Sequence, residues 1–365
     1  MKVECVKDLI EKAVLLTSRV TGKHTNLPVL SCVKIETRKN ELQISATNLD
    51  LGVECVVPAK IFKEGVVAVP GLTLSGFLSN LPHEKNIILE VFQGNLRVIS
   101  SKNSTIIKAI PHDDFPEIPH PEGGNSVSLP AKDFIQGLSS VSHFSSTSAV
   151  KPELGSVLLY GDGEWLYFVA TDSFRLGEKR IKLKNTIETQ ALIPAKNASE
   201  ILRVVSEEDG LVELRVHKHQ LSITSGSFFG VSRLVEGTFP DYKQIVPKDH
   251  TTTAVALKED LNQVFKTLSI FSDKFNQLHI SVFPREKRFE FSTKNSEVGE
   301  SHYTLPASLS GDLVEVNFNI RYLADCLPVI GADSVSLEFG GSGRPLLVRG
   351  VGDSSFLYLV MPMNK

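Results

Sequence analysis

The 365-residue sequence predicts an α+β fold made of three similar domains in tandem. Two observations support this prediction. A set of sequence anchors recurs with a period near 125 residues, and between the anchors lie short runs in which apolar and polar residues alternate. Such alternation is typical of half-buried strands. A repeat near 125 residues has the size of a domain, so the repeats are not the short units of a solenoid.

An amphipathic helix is predicted at the start of each repeat. It begins near Asp8, Asp133 and Asp260, and apolar residues follow at helical spacing, as in Phe134 and Leu138. A second helix is predicted further along each repeat, after the anchors Pro70, Pro194 and Asn319. Proline suits the first helical turn and asparagine is a good N-cap.

Antiparallel strands with short polar turns are predicted between the helices, for example in NELQISAT and GLVELRVHKHQLSIT. Strand ends recur at Thr47 and Thr171, which are 124 positions apart, and again at Thr293. Linkers rich in Pro, Gly or polar residues at 119–125 and 247–250 place the predicted domains at 1–123, 124–247 and 248–365. Helices are expected on one face of the sheets.

Net charge, the length of apolar runs and the spacing of the cysteines exclude several classes of protein. The net charge of −3 excludes a protein that is basic throughout, but it allows a local basic surface. The amino terminus lacks the apolar stretch of a secretory signal and no run approaches 18 apolar residues, so a cytoplasmic protein without a membrane span is expected. The spacings of Cys5, Cys32, Cys55 and Cys326 match no zinc pattern and predict buried free thiols.

Catalytic and cofactor motifs are weak. No Walker A pattern is present, and the glycines near the carboxyl end lack dinucleotide-binding spacing. Ser148 and Lys151 match S-x-x-K, but no K-T-G follows. His217 and His219 share a strand face without a third ligand, so neither a metal nor a cofactor is expected. Two hypotheses therefore stay open at this point. One is a hydrolase that uses Ser148 and Lys151, and the other is a non-catalytic scaffold that binds only proteins.

Six segments carry a resemblance to a known family. In order they are Leu27–Leu30 (LPVL), Ala46–Leu51 (ATNLDL), Ala170–Leu176 (ATDSFRL), Glu236–Tyr242 (EGTFPDY), Phe318–Leu323 (FNIRYL) and Val360–Met363 (VMPM). Together they resemble the bacterial DNA polymerase III beta subunit, the replicative sliding clamp, along almost the whole chain. The sequence departs from the family pattern at Gln244 and at the terminal Asn364-Lys365, both beside the family's partner groove.

The resemblance implies a head-to-tail dimeric ring with two helices per domain facing inward, antiparallel sheets outside, and no catalytic site. In that ring domain 1 of one subunit contacts domain 3 of the other, which brings Thr105 and Ile107 against Ile270 and Phe271. Ordinary core packing is the alternative for Ile107 and Phe271.

The ring would encircle double-stranded DNA without reading its sequence, because lysines and arginines that reach phosphates carry no base information. The implied DNA contacts lie on the helices and in nearby loops, namely Lys12, Arg19, Lys196, Arg203, Lys23, His24 and Lys151.

A groove for short linear motifs is the second implied site. Its expected partners are the replicative polymerase alpha subunit, the clamp loader, other polymerases and repair proteins. Burial in the core is the alternative for Leu176 and Val360. The implied groove residues are Thr171, Phe174, Arg175, Leu176, Pro240, Ile245, Phe275, Asn319, Tyr322, Leu346, Val360, Met361, Pro362 and Met363.

Overall fold

The structure is a computed structural model that describes residues 1–22, 27–81, 84–148, 150–184, 189–205 and 210–363. Its helices and strands alternate as the sequence predicts. The elements up to residue 123 are β1 (Lys2–Val6), α1 (Lys7–Ser18), β2 (Cys32–Arg38), β3 (Glu41–Thr47), β4 (Leu51–Lys63), β5 (Val66–Pro70), α2 (Gly71–Ser79), β6 (Asn86–Phe92), β7 (Asn95–Ile99) and β8 (Ser104–Ile107).

The elements of the next stretch are β9 (Asn125–Pro130), α3 (Ala131–Ser142), β10 (Ser156–Asp162), β11 (Trp165–Thr171), β12 (Arg175–Lys182), β13 (Gln190–Pro194), α4 (Ala195–Val205), β14 (Leu211–His217), β15 (Gln220–Ser225) and β16 (Phe228–Arg233). The last stretch contains β17 (Thr252–Leu257), α5 (Lys258–Ser269), β18 (Gln277–Phe283), β19 (Arg288–Asn295), β20 (Gly299–Thr304), β21 (Ser308–Gly311), β22 (Val314–Asn319), α6 (Ile320–Cys326), β23 (Ser334–Phe339), β24 (Leu346–Gly350) and β25 (Phe356–Val360).

The helix anchors predicted from the sequence are confirmed. Helices α2, α4 and α6 each begin one residue after Pro70, Pro194 and Asn319. The Asn319 side-chain oxygen accepts a hydrogen bond from the backbone N–H of Arg321 at 3.0 Å, which satisfies one of the free N–H groups at the start of α6. The helices α1, α3 and α5 each follow directly on a strand, so strand and helix open every repeat together.

The chain forms two compact units. The first consists of Met1–Gln136 and Asn185–Glu236, and nine of its strands form a continuous antiparallel path in the order β8-β7-β6-β1-β4-β16-β15-β14-β9. Strand β3 also pairs with β4, and β2 joins β3 to β5. Side chains such as Val3, Ile10 and Leu89 are fully buried in this unit.

The second unit consists of Gly137–Lys184 and Gly237–Lys365. Eight of its strands follow the order β10-β11-β12-β25-β24-β23-β17-β21, and a separate sheet has the order β20-β19-β18-β22. Its core is rich in aromatic side chains, of which Phe168, Phe289, Phe318 and Tyr358 are fully buried.

All four cysteines are buried free thiols, as the sequence predicts. Burial raises the pKa of Cys5 to about 12, with a smaller contribution from Glu4, and it also raises the pKa values of Cys32 and Cys326. None of the helices in the described part of the chain combines the length and apolar composition needed to cross a lipid bilayer.

Candidate functional site

A tight turn joins β11 to β12 in the second unit. The Thr171 hydroxyl donates to the carbonyl of Arg175 at 2.7 Å, and one carboxylate oxygen of Asp172 accepts from the N–H groups of Phe174 and Arg175 at 2.9 and 3.0 Å. Ser173 has φ of +79°, a left-handed conformation that is uncommon for serine. The short polar side chains of this segment thus fold its backbone back on itself.

The Arg175 side chain connects this turn to helix α6. Its Nε donates to Asp172 at 2.9 Å, one terminal nitrogen donates to Asp325 at 2.5 Å, and the other donates to the carbonyl of His143 at 3.3 Å. The guanidinium also lies over the ring of Tyr322, with its central carbon 4.6 Å from the ring centre. Only 12% of the side chain is exposed, so its position is fixed by contacts on several sides.

Beside the turn lies a cavity of about 170 Å³ with an apolar floor and polar rim. Thr171, Leu176 and Leu359 face one another across β11, β12 and β25, which places their side chains on one face of the sheet. The lining residues are Lys151, Glu153, Leu154, Thr171, Ser173, Arg175, Leu176, Pro240, Asp241, Tyr242, Ile245, Leu359 and Met361.

Tyr242 anchors the segment that forms one wall of this cavity. Its hydroxyl donates to the Glu178 carboxylate and lies 2.7 Å from the hydroxyl of Tyr160. The side chain is buried, and this burial together with the neighbouring Glu178 raises the pKa of Tyr242 well above its ordinary value. The wall is therefore tied to the sheet by a buried polar network.

The carboxyl-terminal tail continues past the same turn. The N–H of Met361 donates to the carbonyl of Phe174 and the N–H of Met363 donates to the carbonyl of Asn317, both at 2.8 Å. Within the sheet, Val360 pairs with both Arg175 and Leu346. The backbone of the tail is thereby held against both β12 and β22.

The implied groove residues fall into three groups. Six of them line the cavity, namely Thr171, Arg175, Leu176, Pro240, Ile245 and Met361. Phe174 and Phe275 are 61% and 58% exposed, and Pro362 and Met363 are partly exposed in the tail. Leu346 and Val360 are fully buried strand residues, Asn319 caps α6, and Tyr322 packs on Arg175.

Several cavity residues were absent from the groove predicted by resemblance. Tyr242 belongs to the EGTFPDY segment, so the sequence carried its signal. Leu359 stands two positions before Met361, and strand periodicity puts these two on the same face. Lys151 was expected to contact DNA, and here it lines the cavity.

The first unit contains a second copy of the turn. The Thr47 hydroxyl donates to the carbonyl of Leu51 at 3.1 Å, and Asn48 accepts from the N–H groups of Asp50 and Leu51 at 3.0 and 2.8 Å. Leu49 has φ of +77°, and a cavity of about 310 Å³ lies beside it. Gly52 stands where the turn of the second unit has Leu176, and a Cβ atom at Gly52 would lie 3.0 Å from Ile118. The two cavities therefore share their turn but differ in their floor.

Arg19, which directly follows α1, contacts the backbone of α4 within the first unit. A terminal nitrogen of Arg19 donates to the carbonyl of Arg203 at 3.0 Å, while the Arg203 side chain pairs with Glu200 at 2.8 Å. Lys196 is exposed and Lys12 is partly exposed. Lys23 and His24 lie outside the described residues.

Strands β8 and β20 are among the strands that lie at the end of a sheet in the described chain. Strand β8 ends the sheet of the first unit, where Thr105 is partly exposed, Ile106 is 49% exposed and Ile107 is 6% exposed. Strand β20 ends the four-stranded sheet of the second unit. At the end of α5, Ile270 is 66% exposed and Phe271 is partly buried.

The contacts of the candidate nucleophile Ser148 and the arrangement of groups that could bind a metal bear on a catalytic role. The Ser148 hydroxyl oxygen accepts a hydrogen bond from the N–H of Val150 at 3.3 Å. Among the residues that the structure describes, no three His, Cys, Asp or Glu side chains are grouped so that they could hold a metal ion.

Comparison with known proteins gives the same family along the whole chain. Models of the N-terminal, central and C-terminal domains of the DNA polymerase III beta subunit match residues 1–119, 128–241 and 243–364. The beta sliding clamp of Vibrio cholerae is 27% identical over 370 residues, covering 100% of both chains, and that of Pseudomonas aeruginosa is 26% identical over 362 residues, covering 98% of both.

Solved structures agree with these relatives. The crystal structure of the Pseudomonas aeruginosa beta subunit has a TM-score of 0.95 at 26% identity, with 100% of both chains covered. A clamp from the same organism bound to griselimycin has a TM-score of 0.95 at 25% identity and the same coverage. The fold is therefore the three-domain α+β clamp fold. The chain belongs to the DNA polymerase III beta subunit family and is a sliding clamp, a non-catalytic processivity factor that acts with DNA polymerase on DNA.

Proposed function

We propose that two copies of this chain close head to tail into a ring around double-stranded DNA, with β8 of one copy joined to β20 of the other. The unpaired edges of β8 and β20 support this arrangement, since exposed strand edges tend to pair. The exposed apolar side chains of Ile106 and Ile270 would be covered by such a contact. In this proposal the three domains of each subunit span 1–123, 124–247 and 248–365.

Retention on DNA would come from ring closure, and weak phosphate contacts would permit sliding. The proposed contacts within the first unit are the exposed Lys196 and Arg203 on α4, Lys12 on α1, and Arg19 directly after α1. Lys23 and His24 remain expected contacts. A role on the chromosome would place the protein in the cytoplasm.

A loading experiment tests the ring. The protein is placed on nicked circular DNA by a clamp loader, the DNA is cut once, and the bound protein is separated from free protein by gel filtration. A ring stays on the circle and is released after cutting. Release from intact circles at moderate salt would contradict encirclement and would favour a scaffold that binds only proteins.

The cavity beside the Thr171 turn is the proposed docking site for short peptide motifs of the replicative polymerase, the clamp loader and repair proteins. The observation that carries this proposal is an apolar floor of Leu176 and Leu359 surrounded by polar groups, the usual composition of a ligand site. A methionine at the tail, Met361, adds a side chain that adapts to different shapes. Griselimycin, which a relative binds, serves as a probe.

An Ile245→Asp variant tests the groove. Ile245 lines the cavity and is 47% exposed, so a carboxylate there should repel an apolar ligand without unfolding the chain. Calorimetry should show griselimycin affinity lower by at least about tenfold, since burying an unpaired charge is costly. Leu313→Asp, at a residue that is 60% exposed and outside the cavity, is the control and should bind normally. Equal affinity in both variants would place the ligand elsewhere.

A further inference from the structure

We propose that Asp325 is a positioning residue for the peptide groove, and that it acts through Arg175. This inference rests on the groove proposed above. Arg175 lines the cavity, whereas Asp325 does not and reaches it only through the guanidinium.

Helix α6 holds the guanidinium with two side chains. Tyr322 and Asp325 are three residues apart and therefore share a face of the helix. The guanidinium lies over the Tyr322 ring, and the Asp325 carboxylate accepts a hydrogen bond from one of its terminal nitrogens. Asp172 accepts at Nε, so the two carboxylates fix the plane of the group from different sides.

The geometry leaves hydrogen-bonding capacity for a ligand. A guanidinium has five N–H bonds, and three of those on Arg175 donate to Asp172, Asp325 and the His143 carbonyl. The Tyr358 hydroxyl also interacts with the guanidinium, which leaves one N–H bond that can donate to a peptide carbonyl group in the cavity. In this proposal the direction of that bond depends on the plane of the guanidinium, which the hydrogen bond to Asp325 helps to fix.

The first unit shows that the turn itself does not need this charge network. There the same turn has Asn48 in place of Asp172 and a buried leucine, Leu51, in place of Arg175. The threonine bond and the left-handed residue are both retained. We call the turn at Thr47–Leu51 the neutral copy. Because the neutral copy keeps the same backbone turn without these charges, the role proposed for the Arg175–Asp325 pair is to set the position of the guanidinium.

The Arg175–Asp325 ion pair is expected to contribute little to the stability of the fold. The Asp325 side chain is 46% exposed, and when its charge is removed the largely buried Arg175 side chain still donates to Asp172 and to the His143 carbonyl. A change at Asp325 should therefore alter ligand affinity much more than thermal stability. A merely structural residue would show the opposite pattern.

The test measures griselimycin affinity by calorimetry and the melting temperature of the full chain. Asp325→Asn removes the charge at nearly constant shape, Asp325→Glu restores it, and Glu259→Gln removes a charge from an exposed position on α5 as a matched control. We expect affinity to fall about three- to tenfold in Asp325→Asn, as for loss of a charge-assisted hydrogen bond. Partial recovery is expected in Asp325→Glu, no change in Glu259→Gln, and melting temperatures within about 2 °C of the unaltered chain.

A double-mutant cycle with Arg175→Lys tests whether Asp325 acts through Arg175. In the Arg175→Lys protein, Asp325→Asn should have less than half the effect that it has in the unaltered chain. The effect is the logarithm of the ratio of griselimycin affinities with and without the Asp325→Asn change. The Arg175 Nε–H resonance, observed in the free protein, should shift in Asp325→Asn and not in Glu259→Gln.

Three results would overturn the proposal. The first is unchanged griselimycin affinity in Asp325→Asn, and the second is additive effects of the two substitutions in the double-mutant cycle. The third is a loss of affinity that occurs only together with a lowered melting temperature. If the unaltered chain itself failed to bind griselimycin, the groove proposal would fall first and this one with it.

Discussion

At the scale of single residues, the Tyr242 hydroxyl links the wall of the cavity to Glu178 and Tyr160 in the sheet beneath. Because burial and Glu178 raise the pKa of Tyr242 in the folded chain, the unfolded chain loses this proton first, at about its ordinary value of 10.0. The resulting stabilisation is complete below pH 10 and is lost as the pH rises towards the folded pKa.

Tyr242→Phe should therefore show two effects in urea unfolding. At pH 8 the free energy of unfolding should fall by about 1–3 kcal/mol, because the partly buried Glu178 carboxylate loses its donor. Between pH 9 and 11 the variant should lose less stability than the unaltered chain, by up to about 1 kcal/mol per pH unit above 10. Tyr303→Phe, at a residue 36% exposed, should follow the unaltered chain. If the free energy of unfolding changed with pH in the same way in all three proteins, Tyr242 would not be the group that causes this loss of stability.

Residue roles were only partly predictable from the sequence. Leu176 illustrates the difficulty, because it is 1% exposed and also lines the cavity, so burial in the core does not exclude a place in the proposed groove. Val360 is fully buried and does not line it. Lys7, at the start of α1, is buried although it is charged, and its ammonium lies 2.5 Å from the Glu11 carboxylate. Strand and helix periodicity give the face of a side chain, whereas its neighbours across the fold decide what it contacts.

At the scale of elements, the sequence located helices well because their starts carry local signals. Asn319 is the clearest example, since its side chain caps α6 and lies at the position that the repeat predicts. The edge positions of β8 and β20 had no such signal. They depend on the order of strands in a sheet, which is set by contacts distant in sequence.

Replacing Asn319 by Ala should lower the free energy of unfolding by about 1 kcal/mol, because the Arg321 N–H loses its acceptor. Asn319→Asp keeps a capping oxygen and should lose less. Urea denaturation of the three proteins gives the comparison. A similar loss in both variants would show that the bond from the Asn319 amide to the Phe275 carbonyl, at 3.3 Å, matters more than the cap.

At the scale of the whole molecule, the threefold repeat and the six family segments identified the fold class from sequence, and both the helix starts and the comparisons agree with it. The dimer contact was less well defined. Ile107 was one of its implied residues, but it pairs with Leu96 and is 6% exposed, whereas the neighbouring Ile106 is 49% exposed. Since successive strand residues point to opposite faces, Ile106 is the better probe of an external contact.

Ile106→Asp and Ile270→Asp should each convert a dimer into a monomer of 40.1 kDa, because a carboxylate would be buried against an apolar surface. Light scattering after gel filtration measures the mass directly. Val351→Asp, at a residue that is 50% exposed, should remain a dimer. A mass of 40.1 kDa for the unaltered chain at every concentration would contradict the ring.

The neutral copy of the turn, at Thr47 to Leu51, has a practical implication for inhibitors. It demonstrates that the backbone keeps this shape when the acidic and guanidinium side chains are exchanged for an amide and a leucine. Substitutions at Asp172 or Arg175 should therefore leave this backbone turn intact, and a compound that depended on the guanidinium would be open to escape mutations. Compounds that draw their affinity from the buried leucine floor would face a higher barrier to resistance, since Leu176 and Leu359 are each 1% exposed and substitution there would open a cavity in the core.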